Sequence, residues 1–205
     1  MTESVRIDHT ITSGTFSLDG ETFDVDNNVW VIGNDDECVV IDAPHDVDAI
    51  LEVVGDRRLT AIICTHAHDD HVLVAPALRE RTGAPIMLHP EDRVLWEMSH
   101  PDVRWDADLA DGQRLEVGGT GLVVLHTPGH APGAVCLYAD ELGCVFSGDT
   151  LFQGGPGATG RSFSDRPTIE ASIRSKLFAL PDETVVHTGH GSDTTIGAER
   201  SLLGD

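Results

Sequence analysis

The sequence predicts a layered α/β fold. Short apolar segments of strand length alternate with amphipathic segments of helical spacing along most of the chain. Residues 59–64 are apolar almost throughout, which is typical of a strand buried on both faces. Runs of strands interleaved with helices pack as sheets covered by helices. At 205 residues the chain can form one sizeable core, so we predict a single domain over residues 1–205.

The first half of the chain alternates strand and helix signals. Its predicted elements are, in order, strands at 29–32 and 38–41, a helix at 46–54, a strand at 59–64 and a helix at 73–82. The polar turn at 33–36 joins the first two strands, and Gly83 ends the second helix. Residues 65–71 therefore form a loop between a buried strand and a helix.

The second half continues with shorter strands and two longer helices. Its predicted elements are strands at 86–88, 115–117, 122–126, 134–138, 144–147 and 184–186, and helices at 91–98, 168–180 and 194–203. The Gly118-Gly119 pair indicates a hairpin between two of these strands.

The loop at residues 65–71 carries the strongest chemical signal. It places three histidines and two aspartates behind an apolar strand, in the order Thr65-His66-Ala67-His68-Asp69-Asp70-His71. So many imidazoles and carboxylates are costly to desolvate without a partner. A divalent metal ion is such a partner, so the cluster predicts a metal site.

Three further polar residues, His130, Asp149 and His190, recur in one context. Each follows a predicted strand and lies beside a glycine. Loops that follow strand ends meet along one edge of a sheet, and glycine lets the backbone approach a small charged centre closely. With His66, His68, Asp70 and His71 of the first cluster, the chain offers seven candidate ligands at one edge, enough for two metal ions.

Composition excludes some function classes. The net charge of −22, from 13 basic and 35 acidic residues, argues against a nucleic-acid partner. The sequence shows no apolar run of the roughly 20 residues that a membrane helix needs, and no signal-peptide pattern at its start. We therefore expect a cytoplasmic protein with no membrane partner. The four cysteines lack metal-binding spacing and are expected to be buried, reduced thiols.

These motifs resemble those of the metallo-β-lactamase superfamily. His66-x-His68-x-Asp70-His71, His130, Asp149 and His190 match the family's metal positions in order. The resemblance is closest to small glyoxalase II-like hydrolases, through the segments at residues 148–152, 189–191 and 194–197. It implies an αββα sandwich, in which helices flank two mixed sheets and the site lies along one edge between the sheets.

The resemblance also implies a division of the ligands. His66, His68 and His130 would bind one metal ion. Asp70, His71 and His190 would bind a second, and Asp149 would bridge both. Imidazole and carboxylate ligands without thiolate suit Zn²⁺, and also Fe or Mn. Asp70 would in addition orient a metal-bridging hydroxide. Asp42 and His187 are expected to hydrogen-bond to ligands rather than to bind metal themselves.

The function implied is hydrolysis of a thioester, with a small-molecule S-acyl conjugate of a low-molecular-weight thiol as substrate. The loop at residues 154–165 is longer than the usual pattern and more closely resembles hydrolases linked to mycothiol, for which an S-formyl thiol is the substrate. Arg161, in this loop, is a candidate contact for an anionic substrate group.

Three alternatives remain open at the level of sequence. A mononuclear iron persulfide dioxygenase shares much of the motif and uses only one set of ligands. A β-lactamase or a lactonase is a less favoured alternative, and for the β-lactamase the reason is that Asp149 stands where many of those enzymes have cysteine. A non-catalytic metal-binding protein is disfavoured by the complete ligand set. Metal content and a substrate panel would separate these functions.

Overall fold

The computed structural model describes residues 4–203 and consists of two six-stranded sheets packed face to face. The first sheet has its strands in sequence order: β1 Arg6–Leu18, β2 Glu21–Gly33, β3 Glu37–Ile41, β4 Arg58–Ile63, β5 Ile86–Leu88 and β6 Ala107–Asp108. Its first three strands are antiparallel, whereas β3 to β6 run parallel. It is therefore a mixed sheet, as expected.

The second sheet is also mixed. The remaining strands in chain order are β7 Arg114–Val117, β8 Thr120–His126, β9 Val135–Ala139, β10 Cys144–Gly148, β11 Leu151–Phe152, β12 Gly155–Pro156, β13 Val185–Thr188 and β14 Thr194–Thr195. The sheet order is β14-β13-β10-β9-β8-β7, and only β10 and β13 pair in parallel. Strands β11 and β12 form a separate small ribbon.

Helices cover the outer faces of both sheets. They are α1 Val47–Val54, α2 Asp69–Val72, α3 Ala75–Thr82, α4 Arg93–Ser99, α5 Arg166–Ser172 and α6 Ile196–Leu203. Short 3₁₀ turns span Pro90–Asp92 and Asp140–Leu142, and a π-helical turn, Ile173–Leu177, continues α5. Asp165 caps α5 by accepting a hydrogen bond from the Thr168 backbone N–H at 2.9 Å.

The period of two along the central strands produces the layers. In β2, Val29 and Val31 pack outward with the helix residues Ile50 and Trp96. Trp30 and Ile32 point the other way, into a core shared with the second sheet. All four β2 side chains are buried, which explains the nearly continuous apolar run. A third cluster joins the second sheet to α5 and α6. This arrangement is the expected αββα sandwich.

One edge of the sandwich collects the ends of the parallel strands. Strands β3 and β4 of the first sheet end there, as do β10 and β13 of the second. A backbone hydrogen bond of 2.8 Å from Asn28 N–H to Gly189 O joins the two sheets at this edge. The Trp30 Nε1–H donates to Thr188 O across the same gap at 3.0 Å. The loops that leave these strands are therefore held close together.

The structure corrects several predicted boundaries. The long hairpin of β1 and β2 begins at Arg6, although only residues 29–32 of it were predicted as strand. Polar residues such as Asp8 and Ser13 alternate along β1, an edge strand with one face largely exposed, so its apolar pattern is weak. The helix predicted at 73–82 is α3, Ala75–Thr82. A separate short helix, α2, precedes it and begins inside the metal-ligand motif at Asp69, where a loop was predicted.

The structure also describes the cysteines and the lengths of the helices. All four cysteines are buried and free, as expected for reduced thiols. Over residues 4–203, none of the helices is both long enough and apolar enough to span a bilayer.

Candidate metal centre

The seven predicted ligands all lie at the edge where the parallel strands end. His66 and His68 lie in the loop after β4, and Asp70 and His71 lie in the first turn of α2. The loop between β8 and β9 carries His130, and the turns after β10 and β13 carry Asp149 and His190. Five of the seven are buried, and the other two, Asp149 and His190, are partly exposed. The structure therefore brings together every residue predicted to bind metal.

We call His66, His68 and His130 the first triad. The His68 Nδ1 atom lies 3.0 Å from His66 Nε2 and 3.0 Å from His130 Nε2. Three nitrogens this close carry lone pairs that repel one another unless a proton or a cation lies between them. The first triad is therefore built to share a positive centre.

We call Asp70, His71 and His190 the second triad. Its three donor atoms are separated by 3.3 Å (His71 Nε2 to His190 Nε2), 3.3 Å (His190 Nε2 to Asp70 Oδ2) and 3.6 Å (His71 Nε2 to Asp70 Oδ2). These spacings resemble those between ligand atoms held by one small cation about 2 Å from each.

Asp149 lies between the triads. Its Oδ2 is 3.5 Å from His130 Nε2 in the first triad and 3.4 Å from His190 Nε2 in the second, while Oδ1 is 3.3 Å from His71 Nε2. One carboxylate therefore contacts both triads, which is the position of a bridging ligand. Two glycines allow this position of Asp149. Gly148, which precedes it, has φ +49, a conformation that favours glycine. A Cβ on Gly189 would lie 2.3 Å from Asp149 Oδ1.

The outward nitrogens of His130 and His190 are anchored to backbone carbonyl oxygens. His130 Nδ1 lies 2.8 Å from Ala158 O, and His190 Nδ1 lies 2.7 Å from Asp26 O. A carbonyl accepts only, so in each ring Nδ1 carries the proton and Nε2 presents its lone pair inward. The backbone thus fixes the tautomer that metal binding requires.

Asp42 anchors one histidine of each triad. Its Oδ2 accepts hydrogen bonds from His71 Nδ1–H at 2.8 Å and from Thr65 Oγ1–H at 2.8 Å. The Thr65 hydroxyl in turn lies 3.1 Å from His66 Nδ1. Asp42 is buried and has φ 62, so the backbone is bent to aim this carboxylate. It contacts ligands without joining either triad, which is the arrangement predicted for it.

Burial dominates the electrostatics of the first triad. Desolvation lowers the pKa of His68 to about 3 and holds the pKa of His66 well below its usual value. The neighbouring imidazoles act in the same direction, because protonating one ring disfavours protonating the next. These two rings are therefore neutral, with lone pairs available for a cation.

Carboxylates dominate the second triad. Burial disfavours the charged form of His71, but Asp149, Asp70 and Asp42 together outweigh burial and hold the pKa of His71 well above its usual value. Burial likewise opposes protonation of His190, yet Asp149 and Asp70 raise the pKa of His190 to about 10. The second triad therefore lies in a field that attracts positive charge.

The donor set fits a divalent cation at both triads. Five imidazoles and two carboxylates converge, and groups of three ligand atoms fall within 4.8 Å of one another. The buried Asp149 Oδ1 atom has no hydrogen-bond partner among the residues that the structure describes. A buried carboxylate oxygen without a donor is costly, and a cation would satisfy it. Nitrogen and oxygen donors of this kind suit Zn²⁺, Fe and Mn.

Two segments form the walls around the centre. The ring of Phe16, in β1, lies 5.1 Å from the ring of His68, and the Ser17 N–H donates to Asp69 Oδ1 at 3.1 Å. The loop at residues 154–165 approaches from the other side, where a Cβ on Gly157 would lie 1.8 Å from Asp149 O. The hairpin and this loop therefore position ligands as well as border the site.

Arg161 joins these two walls. Its guanidinium donates to Glu21 Oε2 at 2.8 Å and lies 4.6 Å from the centre of the Phe23 ring. The next residue, Ser162, donates its N–H to Asp19 Oδ2 at 2.9 Å. Arg161 was predicted as a substrate contact, and in this structure its charge is paired with the hairpin instead.

His187 was also predicted to hydrogen-bond to a ligand, but it contacts Asp193 and Trp30 instead. Its Nδ1 atom is 2.9 Å from Asp193 Oδ2, and its ring packs 4.4 Å from that of Trp30. These contacts support the strand that precedes His190 and the packing between the sheets. They give His187 a structural role at this edge.

Sequence reasoning missed two buried polar residues beside the ligands. Asp92 accepts hydrogen bonds from the backbone N–H groups of Ala67 (2.7 Å) and Gly133, and so ties together the two loops that carry the first triad. Asn27 donates from Nδ2 to Asp70 Oδ2 at 3.0 Å. No local pattern marks Asp92, but the polar pair Asn27-Asn28 directly before the apolar run at 29–32 was an available signal for Asn27.

The fold and the site together define a metal-binding hydrolase with its centre between two sheets. The model of the metallo-β-lactamase superfamily matches residues 22–190, and the chain belongs to this superfamily.

Three proteins similar to this chain match most of its length. The hydroxyacylglutathione hydrolase GloC of Haemophilus influenzae is 35% identical over 191 residues, which cover 84% of this chain and 89% of that protein. The crystal structure of TTHA1623 in a di-iron-bound form is 34% identical with a TM-score of 0.76, covering 85% of this chain and 92% of that one. The crystal structure of the BLEG-1 B3 metallo-β-lactamase is 32% identical with a TM-score of 0.77, and the match covers 94% of this chain and 100% of that one.

Proposed function

We propose that this protein is a thioesterase with two divalent metal ions, which hydrolyses S-acyl conjugates of a low-molecular-weight thiol. The observation that carries the proposal is Asp149, whose carboxylate contacts both triads at 3.3–3.5 Å. This carboxylate thus joins two complete sets of ligands, which favours two bound cations over the single iron of a persulfide dioxygenase. The likeness to a hydroxyacylglutathione hydrolase and to a di-iron structure supports the same conclusion.

The residues of the chain would hold and orient the centre. The first triad would hold one cation, the second triad the other, and Asp149 would contact both. When bound, such cations polarise a carbonyl oxygen and lower the pKa of water to about 7. Asp42, Ala158 O and Asp26 O keep the imidazole protons on the outward nitrogens. The ligand nitrogens are therefore in place before substrate arrives.

The overall reaction adds water across the thioester. The acyl–sulfur bond breaks, the acyl carbon gains an oxygen from water, and the products are a carboxylic acid and a thiol. The partly exposed side of His190 and Asp149 is where a substrate carbonyl can approach, because the other five ligands are buried. We propose Asp70 as the ligand that also accepts a hydrogen bond from the attacking water.

The substrate is distinguished by its thiol carrier. The loop at residues 154–165 resembles that of mycothiol-linked hydrolases, and it forms one wall of the site through Gly157 and Ala158. We therefore propose an S-formyl or other short S-acyl conjugate of a thiol such as mycothiol as the substrate. Arg161 is the proposed contact for an anionic group on it, provided that its pair with Glu21 opens.

The test is a substrate panel on zinc-loaded protein. Acyl thioesters of glutathione, mycothiol and a simple alkyl thiol are compared with a lactone and a β-lactam, and thiol release is followed optically. We expect hydrolysis of thioesters, with kcat/KM depending on the carrier. Turnover of the lactone or β-lactam alone, or no turnover of any compound by protein with bound metal, would contradict the proposal.

A further inference from the structure

Asn27 is a buried amide set against the second triad. Its side chain is only 1% exposed. The Nδ2 atom donates to Asp70 Oδ2 at 3.0 Å and lies 3.4 Å from both His71 Nε2 and His190 Nε2. A single amide nitrogen thus touches the donor atom of every member of the second triad.

The four atoms form a small tetrahedron. The three donor atoms of the second triad lie 3.3–3.6 Å apart, and Asn27 Nδ2 lies 3.0–3.4 Å from each of them. The amide nitrogen therefore covers one face of the triad. An amide N–H group is a donor and offers no lone pair to a cation. Asn27 closes this side of the triad without coordinating.

His45 determines which end of the amide faces the triad. Its Nε2 atom lies 2.9 Å from Asn27 Oδ1, so the imidazole N–H donates to the amide oxygen. With the oxygen engaged, the NH₂ group points at Asp70. The hairpin leaves room for this ring only because residue 14 is glycine: a Cβ there would lie 2.3 Å from His45 Nδ1.

The orientation has a consequence for Asp70. Buried carboxylates need donors to keep one rotamer, and Asn27 supplies a donor to the same oxygen that faces His190. We propose that Asn27 is a positioning residue, whose amide N–H holds Asp70 in the ligating orientation while His45 holds the amide. This inference rests on the proposed two-metal function, and it concerns the second triad only.

The chain contains a matched control for this device. His9 Nε2 lies 2.9 Å from Asn28 Oδ1, the same kind of hydrogen bond one residue further along β2. Asn28 donates to Thr188 O and Gly191 O rather than to a member of either triad. Removing the His9 donor therefore perturbs a neighbouring histidine–asparagine pair without touching Asp70.

The experiment measures Zn²⁺ affinity by competition with a chromophoric chelator, without substrate. Of the two Zn²⁺ equivalents that the chain is proposed to bind, the one that is lost in His190→Ala is assigned to the second triad. We expect Asn27→Ala and His45→Leu to weaken this equivalent by about 10- to 100-fold, and to leave the other within about twofold. His45→Gln, which can still donate to Asn27 Oδ1, should restore most of the affinity, and His9→Leu should match wild type.

The outcomes separate this inference from the proposed function. Equal weakening of both equivalents, with a lower melting temperature of the zinc-free protein, would show a purely structural role and overturn the inference. So would unchanged affinity in Asn27→Ala. If the wild-type chain binds fewer than two equivalents, the two-metal function itself fails. If the wild-type chain binds two equivalents of zinc but does not hydrolyse thioesters, this result would count against the proposed function alone.

Discussion

The two triads of the centre differ in how they attract a cation. The first triad is three imidazoles, and burial keeps two of them, His66 and His68, neutral. The second triad contains Asp70 and is flanked by Asp42 and Asp149. Against the effect of burial, Asp149 and Asp70 raise the pKa of His190 to about 10. One half offers lone pairs in a dry pocket, whereas the other offers negative charge. We conclude that the second triad draws in cations electrostatically, and that the first depends on exact placement of nitrogen atoms.

The supports of the triads follow the same division. Asp92 holds the loops of the first triad through backbone N–H groups, and so fixes where the rings stand. Asn27 holds a ligand side chain of the second triad directly. Asp42 alone reaches both halves, through His71 and through Thr65 to His66. Substitutions at these positions therefore test whether the halves are as distinct as their geometry indicates.

The largest effect on metal binding and turnover is expected at the one ligand that both triads share. Asp149 contacts both triads, so Asp149→Ala should reduce the binding of both cations and lower kcat/KM by about 1000-fold or more, since polarisation by the metal ions contributes several kcal/mol. Metal analysis and thioester turnover on the same sample measure both effects. A variant that keeps two equivalents and full turnover would rule out the bridging role.

Breaking one triad at a time tests their independence. His66→Ala should remove the equivalent of the first triad, and His190→Ala that of the second. Each should lower turnover by about 100-fold or more, because a single cation keeps only part of the polarising field. Zinc titration of both variants provides the check. If either variant loses both equivalents, the triads bind as one unit and the contrast between them fails.

A smaller effect is expected from the shared anchor. Asp42→Asn keeps the size of the side chain but replaces one acceptor oxygen with an NH₂ donor. Asp42 accepts at both oxygens, from the Thr65 backbone N–H at Oδ1 and from His71 Nδ1–H and the Thr65 hydroxyl at Oδ2. In either orientation of the amide, its NH₂ group therefore faces a hydrogen-bond donor. Affinity for both cations should fall by about 10- to 100-fold. Chelator competition measures this change, and circular dichroism confirms that the fold is kept. Weakening confined to one equivalent would show that Asp42 serves only that triad.

The last effect is on the stability of the fold rather than on metal affinity, and it concerns the support of the first triad. Burial raises the pKa of Asp92 from 3.8 to about 6, despite the N–H groups of Gly133 and Ala67. The native state therefore binds this proton more tightly than the unfolded state, and the contribution of Asp92 to stability falls as pH rises from about 4 to above 6. The full change is roughly 3 kcal/mol.

Asp92→Asn removes this titration. The unfolding free energy of the metal-loaded wild type, minus that of the variant, should therefore decrease between pH 4 and pH 7. Chemical denaturation at several pH values measures the difference, and the titration of other groups cancels in it. A difference that stays constant over this range would mean that Asp92 does not hold its proton more tightly in the folded protein.

The sequence was sufficient to predict the layered fold and to locate the seven residues that converge. Those residues follow strand ends, where a local pattern of apolar run, polar residue and glycine is visible in one dimension. The hairpin strand β1 was missed because an edge strand with a largely exposed face carries many polar residues. Asp92 was placed in a helix, but its burial depends on Gly133, 41 residues away. Contacts of that kind arise only from the packing of the two sheets.

The same limit applies to Arg161. The sequence makes Arg161 a candidate contact for an anionic substrate group, but it does not show the ion pair of Arg161 with Glu21, which is 140 residues distant in sequence. A loop sequence shows which groups are available, but the partner is chosen by how the hairpin folds over it.

The central claim is that both triads bind metal in one working centre. The most direct measurement is the metal content of protein purified without added metal, followed by thioester turnover and by oxygen uptake with a persulfide on the same sample. We predict two divalent ions per chain, thioester hydrolysis that is lost on chelation and restored by Zn²⁺, and no oxygen uptake. A single iron per chain with persulfide-dependent oxygen uptake would contradict the account and identify a dioxygenase instead.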